Sequence, residues 1–332
     1  MRRMDTSIGS RRRAPGVAIA GATALVSGVS VFVNSYGVRA GATPAVYTTA
    51  KNLVAVAVLS FVALVGWTVR TRRLGSAAVN FVTTAPEARS VPSTRRWIEC
   101  LGLAYVGIVG GGLAFVLFFD GLAQSEPTPA AFWRDTLVLW VAVLAVLVLR
   151  ERLRWWNLAA IVLVISGEVV VSGGIGQLAA NRGEVDVLAS SVFWALEVVI
   201  ARRLLRTRAP ATLAVVRMGL GALTLIAYLA ASGSLGQLGA MNADQWHWAL
   251  WTGLLLSTYV ATWMSALARA RAIDVTSVLA SSALITWLLQ LVAGTTSVSA
   301  GAAGLVLIGA GATLVLVQAR GRVPWPERAA RA

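Results

Sequence analysis

The chain has 332 residues, of which 57% are hydrophobic and 13% charged, with a formal net charge of +15 at pH 7. A soluble domain of that length cannot hide so much apolar surface, so the composition excludes a water-soluble globular protein and makes the bilayer the solvent. The charge comes from 28 arginines and one lysine set in short runs between apolar stretches, the pattern of membrane-flanking loops and not of a nucleic-acid surface.

Arg2, Arg3 and Arg11 to Arg13 precede the first apolar run and resemble the n-region of a signal peptide, or weakly a twin-arginine signal. The run Val17–Val38 is long enough to cross a bilayer, and no small-x-small cleavage site follows it, which predicts an uncleaved first helix. About 20 apolar residues cross as a helix. Ten segments qualify, numbered here as spans 1 to 10: residues 17–38, 43–67, 98–121, 127–149, 155–174, 185–205, 210–231, 246–268, 274–295 and 298–318. The polar stretch Thr68 to Arg96, with Pro86 and Pro92, predicts a flexible loop. Cys100 is the only cysteine, so no intrachain disulfide is possible.

The cations set the orientation. With the N-terminus inside, 24 of the 29 fall in inner segments, Arg39 and Arg182 fall outside, and Lys51, Arg134 and Arg217 lie within spans. That bias places both termini in the cytoplasm of a multi-pass inner-membrane protein. Trp97, Trp155, Trp156, Trp246 and Trp248 sit at span ends, where an aromatic belt is expected.

The chain also repeats itself. Pro44-Ala-Val-Tyr-Thr-Thr-Ala-Lys51 is matched by Pro210-Ala-Thr-Leu-Ala-Val-Val-Arg217, and Ile161-Val-Leu-Val-Ile-Ser-Gly167 by Leu305-Val-Leu-Ile-Gly-Ala-Gly311. Five spans per half send the second half into the membrane in the opposite sense, the signature of inverted-repeat transporters. The expected fold is all-α and integral to the membrane, with ten transmembrane helices as two inverted five-helix repeats. The expected boundaries are a basic cytoplasmic N-terminus (1–16), the repeats (17–174 and 184–318) and a cytoplasmic tail (319–332).

Leu149-Arg-Glu-Arg-Leu153 closing span 4, Trp156-Asn-Leu-Ala-Ala-Ile-Val-Leu-Val-Ile-Ser-Gly167 after it, Phe193-Trp-Ala-Leu-Glu197 through Ala201-Arg-Arg-Leu-Leu205, and Arg217-Met-Gly-Leu-Gly221 stand in a familiar order. Over residues 17–318 the chain resembles the ten-helix, EamA-type members of the drug/metabolite transporter superfamily. The resemblance implies a central cavity lined by spans 1, 3, 4, 6, 8 and 9, and alternating access. The sequence departs from the family at Trp133-Arg134-Asp135 in span 4, and at Ser281-Ser282 and Thr295-Thr296 in span 9.

A charge inside an apolar span marks function unless it is paired. Glu197 near the middle of span 6 either exchanges a proton or forms a lasting ion pair with Lys51 or Arg217. Asn34 holds roughly the equivalent place in span 1. Lys51 and Arg217 either bind anionic groups of a substrate or brace neighbouring helices. Arg134 and Asp135 point about 100° apart on a helix, so Asp120 is the expected partner of Arg134, giving an outer gate of Asp120, Arg134 and Asp135. Snorkelling to the interface is the alternative. Glu168 in span 5 reads as structural.

Tyr36, Tyr47, Trp140, Trp194, Tyr259, Trp263 and Trp287 put aromatic surface inside the spans, either as packing or as the wall of a cavity for an amphipathic or aromatic solute. His-Glu-x-x-His, nucleotide-binding loops and metal-ligand spacings are absent from the sequence, and no cofactor is expected. The expectation is a secondary transporter, an exporter of small metabolites, amino acids or amphipathic compounds, with protons as a coupling ion. Translocation of a lipid-linked carrier and a non-transporting membrane subunit are the alternatives.

Overall fold

The computed structural model describes residues 5–75, 93–125, 132–171, 181–295 and 301–319. Among the described residues helix occurs in each of the ten predicted spans, and no strand occurs. Spans 1 and 2 are Asp5–Arg39 and Pro44–Gly75. Span 3 runs through Ser93–Ala104, the π-helical Tyr105–Leu113 and Ala114–Gln124. Span 4 is helical over 132–135, turns at Thr136 and continues as Leu137–Leu147. Spans 5 to 8 are Trp155–Val171, Arg182–Leu204, Pro210–Ala231 and Ala243–Arg269. Span 9 is broken into Ala272–Leu279 and Ser282–Val292, and span 10 is Ala302–Ala319.

Five stretches, Pro15–Arg39, Pro44–Val69, Arg96–Leu122, Pro210–Ala231 and Ala272–Val292, are long and apolar enough to cross a membrane on those grounds alone. Phe61, Trp97 and Val292 are 67%, 70% and 88% exposed, the outward apolar surface that lipid covers and water would not tolerate. The chain is an all-helical, multi-pass membrane protein.

Two boundaries differ from expectation. Helix continues past Thr68 to Gly75 and resumes at Ser93, because Arg70 to Leu74 are mostly helix formers with no glycine or proline until Gly75. The remainder of the predicted loop, residues 76–92, lies outside the described residues. Span 1 begins at Asp5 and runs through Pro15, so the basic N-terminus is largely helical. Residues 1–4 and the tail from 320 lie outside the described residues.

Local chemistry sets the helix starts. Pro44 and Pro210 occupy first helical positions, where a missing N–H costs nothing. Asn181 caps span 6 by accepting from Glu184 N (2.9 Å), and Asn242 with Gln245 forms a reciprocal capping box on span 8.

The halves interlock. Span 1 packs on spans 8 and 9, span 6 on spans 3 and 4, span 8 on span 2, and span 3 on span 7. Spans 2 and 7, 4 and 9, and 5 and 10 meet their own counterparts. Exchanging each span for the one five places on turns this set of contacts into itself, as a two-repeat architecture requires. Close approach at the self-paired contact of spans 5 and 10 rests on glycine. A Cβ on Gly167 or Gly304 would run into the other's carbonyl.

Candidate functional site

A cavity of about 720 Å³ lies between the halves. Spans 1, 3, 4, 6, 8 and 9 line it, and Tyr47 and Lys51 of span 2 and Arg217 of span 7 reach in. Both breaks reach its wall, through Arg134, Asp135 and Leu137 in span 4 and Leu279, Ala280 and Ser282 in span 9. Each break comes early in its span, at corresponding places in the two halves. Discontinuous helices at matching positions are the usual pointer to a transporter's binding site. Ser191 of span 6 stabilises the first break, its hydroxyl donating to the carbonyls of Trp133 (3.1 Å) or Arg134 (3.2 Å).

Arg217 and Glu197 form a forked ion pair. Nε and Nη2 donate to Oε1 and Oε2, the second at 3.1 Å, and the residues are 7% and 3% exposed. Nη2 also approaches the Gly110 carbonyl (3.4 Å), which takes the Trp194 indole N–H at 3.0 Å. Glu197 lies against Gly110 where a side chain would stand, so the π-helical glycine run brings backbone up to the pair. Of the partners open to Glu197 on sequence grounds, the structure has Arg217.

Lys51 has different company. Its Nζ donates to Asn34 Oδ1 (3.1 Å) and lies 5.4 Å from the Tyr47 ring and 6.0 Å from the Phe119 ring. Asn34 is fixed by donating to the Ser30 carbonyl (2.7 Å). Tyr47 OH stands 3.2 Å from the same Oδ1 and 2.8 Å from Thr252 Oγ1. Among the described residues no acid pairs with Lys51.

The aromatic residues divide. Trp194 packs with Phe115 (5.2 Å) and Phe118 (5.6 Å), and Tyr259 stacks on Trp263 (6.2 Å, 11°), all on the cavity wall. Tyr36, Trp140 and Trp287 lie off it.

The expected pairing of Arg134 with Asp120 is not formed. Arg134 donates to Asp135 Oδ1 from Nε (2.9 Å) and Nη2 (2.7 Å), and Asp120 takes the Tyr228 hydroxyl at 3.3 Å. The 100° offset between neighbours does not keep them apart, because the long guanidinium bends back onto the adjacent carboxylate. Trp133 is tied to span 6 through Glu184 Oε2 (2.8 Å).

At the arginine-rich end a network crosses between the halves. Arg271 donates to Asp274 (3.0 and 2.8 Å), to Asn157 Oδ1 (2.7 Å) and to the Arg152 carbonyl (2.9 Å). Asn157 donates to Asp274 (3.1 Å), and Glu151 accepts from Ala272 N (3.2 Å). Burial pushes the Glu151 carboxyl above its usual range. Arg150 adopts a left-handed conformation (φ 55°), turning the chain so that Glu151 meets span 9. Sequence reasoning used Glu151 and Asn157 only as parts of family motifs and passed over Arg271 and Asp274. The signal was there in Arg271 and Asp274, three residues apart at the start of a span.

These features define a membrane protein with a polar-and-aromatic cavity between two repeats. Residues 14–173 and 181–317 match the EamA-like transporter family, and the chain belongs to that family. A protein of Methanothermobacter thermautotrophicus, named an uncharacterized transporter, is 28% identical over 133 residues, 39% of this chain and 39% of that protein's length. A crystal structure of another protein superposes with a TM-score of 0.68 at 19% identity, covering 93% of this chain and 99% of that one, a likeness of fold.

Proposed function

We propose that the chain is a secondary transporter exporting small metabolites, amino acids or amphipathic compounds across the cell's inner membrane by alternating access, with ten crossings and both termini cytoplasmic. The observation that carries this is the cavity shared by the two halves, where Lys51 meets an amide and ring faces instead of an acid. A solute with an anionic end and an apolar body fits such a lining. Its anion pairs with Lys51, and its body lies on Phe115, Phe118 and Trp194. Asn34 and Tyr47 orient Lys51, Tyr259 and Trp263 complete the wall, and the Glu197–Arg217 pair gives a second polar pole.

Alternating access needs one end closed while the other is open. The Arg271–Asp274–Asn157 network holds the arginine-rich end shut, and the positive-inside rule puts that end in the cytoplasm. The cavity lining runs out to Val38, Arg39 and Leu122 at the other end. This is the outward-facing form. Arg134 and Asp135 on the cavity wall, with Asp120, serve as an outer gate that regroups when the halves rock.

The test heats purified wild type and Lys51→Met with a panel of amphipathic carboxylates and their neutral amides. A rise in melting temperature given by a carboxylate to wild type alone supports the assignment. An equal rise in both proteins removes Lys51 from the site. No rise with any compound favours a lipid-linked substrate or a non-transporting subunit.

A further inference from the structure

The short link between spans 4 and 5 carries cations that have no part in the cavity. Arg150, Arg152 and Arg154 are exposed, and none has an acid partner among the described residues. The described acids of that end are taken: Glu99 by Arg208 (2.9 Å), Asp274 by Arg271 (2.8 Å) and Glu151 by the Ala272 N–H. The link is pinned by its backbone, the Arg152 carbonyl accepting from Arg271 (2.9 Å), while the Arg152 side chain stays in the open. The Arg154 guanidinium lies 4.9 Å from the Trp156 ring, which steadies it as a cation over an aromatic face. Next to these cations span 5 turns an apolar face outward. Trp155, Leu158 and Val162 are 50%, 58% and 55% exposed, and spacings of three and four set them on one side of the helix. The other side is buried against span 10 through Ala160, Val164 and Gly167. An apolar strip about 10 Å long, at 1.5 Å per residue, thus leads from the cations into the hydrocarbon.

We propose that this corner binds an anionic phospholipid of the leaflet covering the arginine-rich end, its phosphate held by Arg152 and Arg154 and one acyl chain laid along Trp155, Leu158 and Val162. Guanidinium groups offer forked donors that match phosphate oxygens, and unpaired cations at a membrane surface draw anionic headgroups. An indole at the start of the span suits headgroup depth. A free phosphate would find the cations but leave the apolar strip unused, so the lipid is the occupant that satisfies both. Arg96 also tops an exposed apolar face, at Trp97, Ile98 and Leu101, but Glu99 stands one turn away and its carboxylate disfavours a phosphate there. The link that meets the phosphate is the one that Arg271 and Ala272 hold from span 9, so the lipid site adjoins the closed end of the cavity. The site itself depends on neither the export reading nor the orientation of the chain.

Native mass spectrometry of the purified full-length protein, titrated with phosphatidylglycerol in an uncharged detergent, reads the tightest-bound lipid without any solute. Wild type should hold phosphatidylglycerol in preference to phosphatidylcholine with the same chains. Arg152→Gln combined with Arg154→Gln should weaken that binding about thirtyfold, and each single variant about fivefold, the loss expected for one surface cation at a time. Either single variant suffices if the double variant does not fold. Arg96→Gln combined with Arg206→Gln, which removes the same charge from exposed positions of the same end, should leave the binding near wild type. Equal weakening in the two double variants would reduce the effect to general attraction by the arginine-rich end and overturn the site. Equal binding of the two lipids by wild type would overturn it as well, and displacement by millimolar inorganic phosphate would make it a free-anion site instead. Because no transport is measured, these failures are separate from failure of the transporter assignment.

Discussion

Lys51 and Arg217 stand at matching places in the two repeats, seven residues after Pro44 and Pro210, yet they are held differently. Arg217 is closed on Glu197 by two parallel hydrogen bonds, and Lys51 is met by the neutral amide of Asn34 and two aromatic faces. Asn34 and Glu197 hold roughly equivalent places in spans 1 and 6 and each meets the cation of the following span, so an amide in one half and a carboxylate in the other leave one cation available and the other neutralised. The asymmetry gives the cavity a polarity that its near-symmetric scaffold lacks.

Glu197→Gln should be a stability mutation. It strands the Arg217 guanidinium in a buried site, which costs about 3–5 kcal/mol, whereas the double variant Glu197→Gln with Arg217→Met should recover most of the loss. Thermal unfolding in detergent checks both. Equal destabilisation in single and double variants would contradict the pairing.

Lys51→Met should leave the melting temperature of the solute-free protein near wild type, because no ion pair is broken. Lys51→Arg should keep part of the solute response. A collapse in stability on Lys51→Met would assign Lys51 to bracing the helices instead.

Spans 3 and 7 meet backbone to backbone. A methyl at Gly111 would meet the Arg217 carbonyl and stand 3.2 Å from Gly221 Cα. Gly111→Ala should cost about 1–3 kcal/mol by overpacking, whereas Gly219→Ala, where the added carbon meets nothing within 4 Å, should be nearly neutral. The two melting temperatures decide it.

Arg271→Ala should loosen the arginine-rich end. In a Cys100→Ser background, Ser282→Cys on the cavity wall reports which face reaches the cavity. With Arg271 intact an impermeant maleimide should label it from outside, and Arg271→Ala should shift labelling toward the cytoplasmic side. Unchanged sidedness would show that the network is not a latch.

The same end should respond to pH. Burial lifts Glu151 above the usual 4.5, so between that value and the raised one the folded chain binds more protons than the unfolded chain. Stability therefore falls as pH rises through that window, and Glu151→Gln should remove this part of the slope. Melting curves of both proteins across the acid range measure it.

Spans and repeats were legible because apolar length and the proline-to-cation spacing are local properties of the chain. The partners of the charges were not. Glu197 could have met Lys51 or Arg217 on spacing alone, and only the packing of spans 6 and 7 against the π-helical part of span 3 chooses. Arg134 and Asp135 defeated the helical-wheel argument because a long guanidinium reaches back to the adjacent carboxylate, which the angle between neighbouring helix positions does not report. Glu168 read as structural because span 5 is peripheral in the resembling family, and its side chain is buried off the cavity lining. The network at Arg271 joins loops more than a hundred residues apart, a distance that no local pattern reports.

The most direct test of the central claim, an export path through the shared cavity with Lys51 on it, compares metabolites outside cells expressing wild type or Lys51→Met at equal membrane abundance. The account predicts that wild type raises at least one anionic amphipathic compound outside the cell and that Lys51→Met reduces that rise by more than about tenfold, the loss expected when a desolvated charge contact is removed. Equal export by both proteins would contradict it.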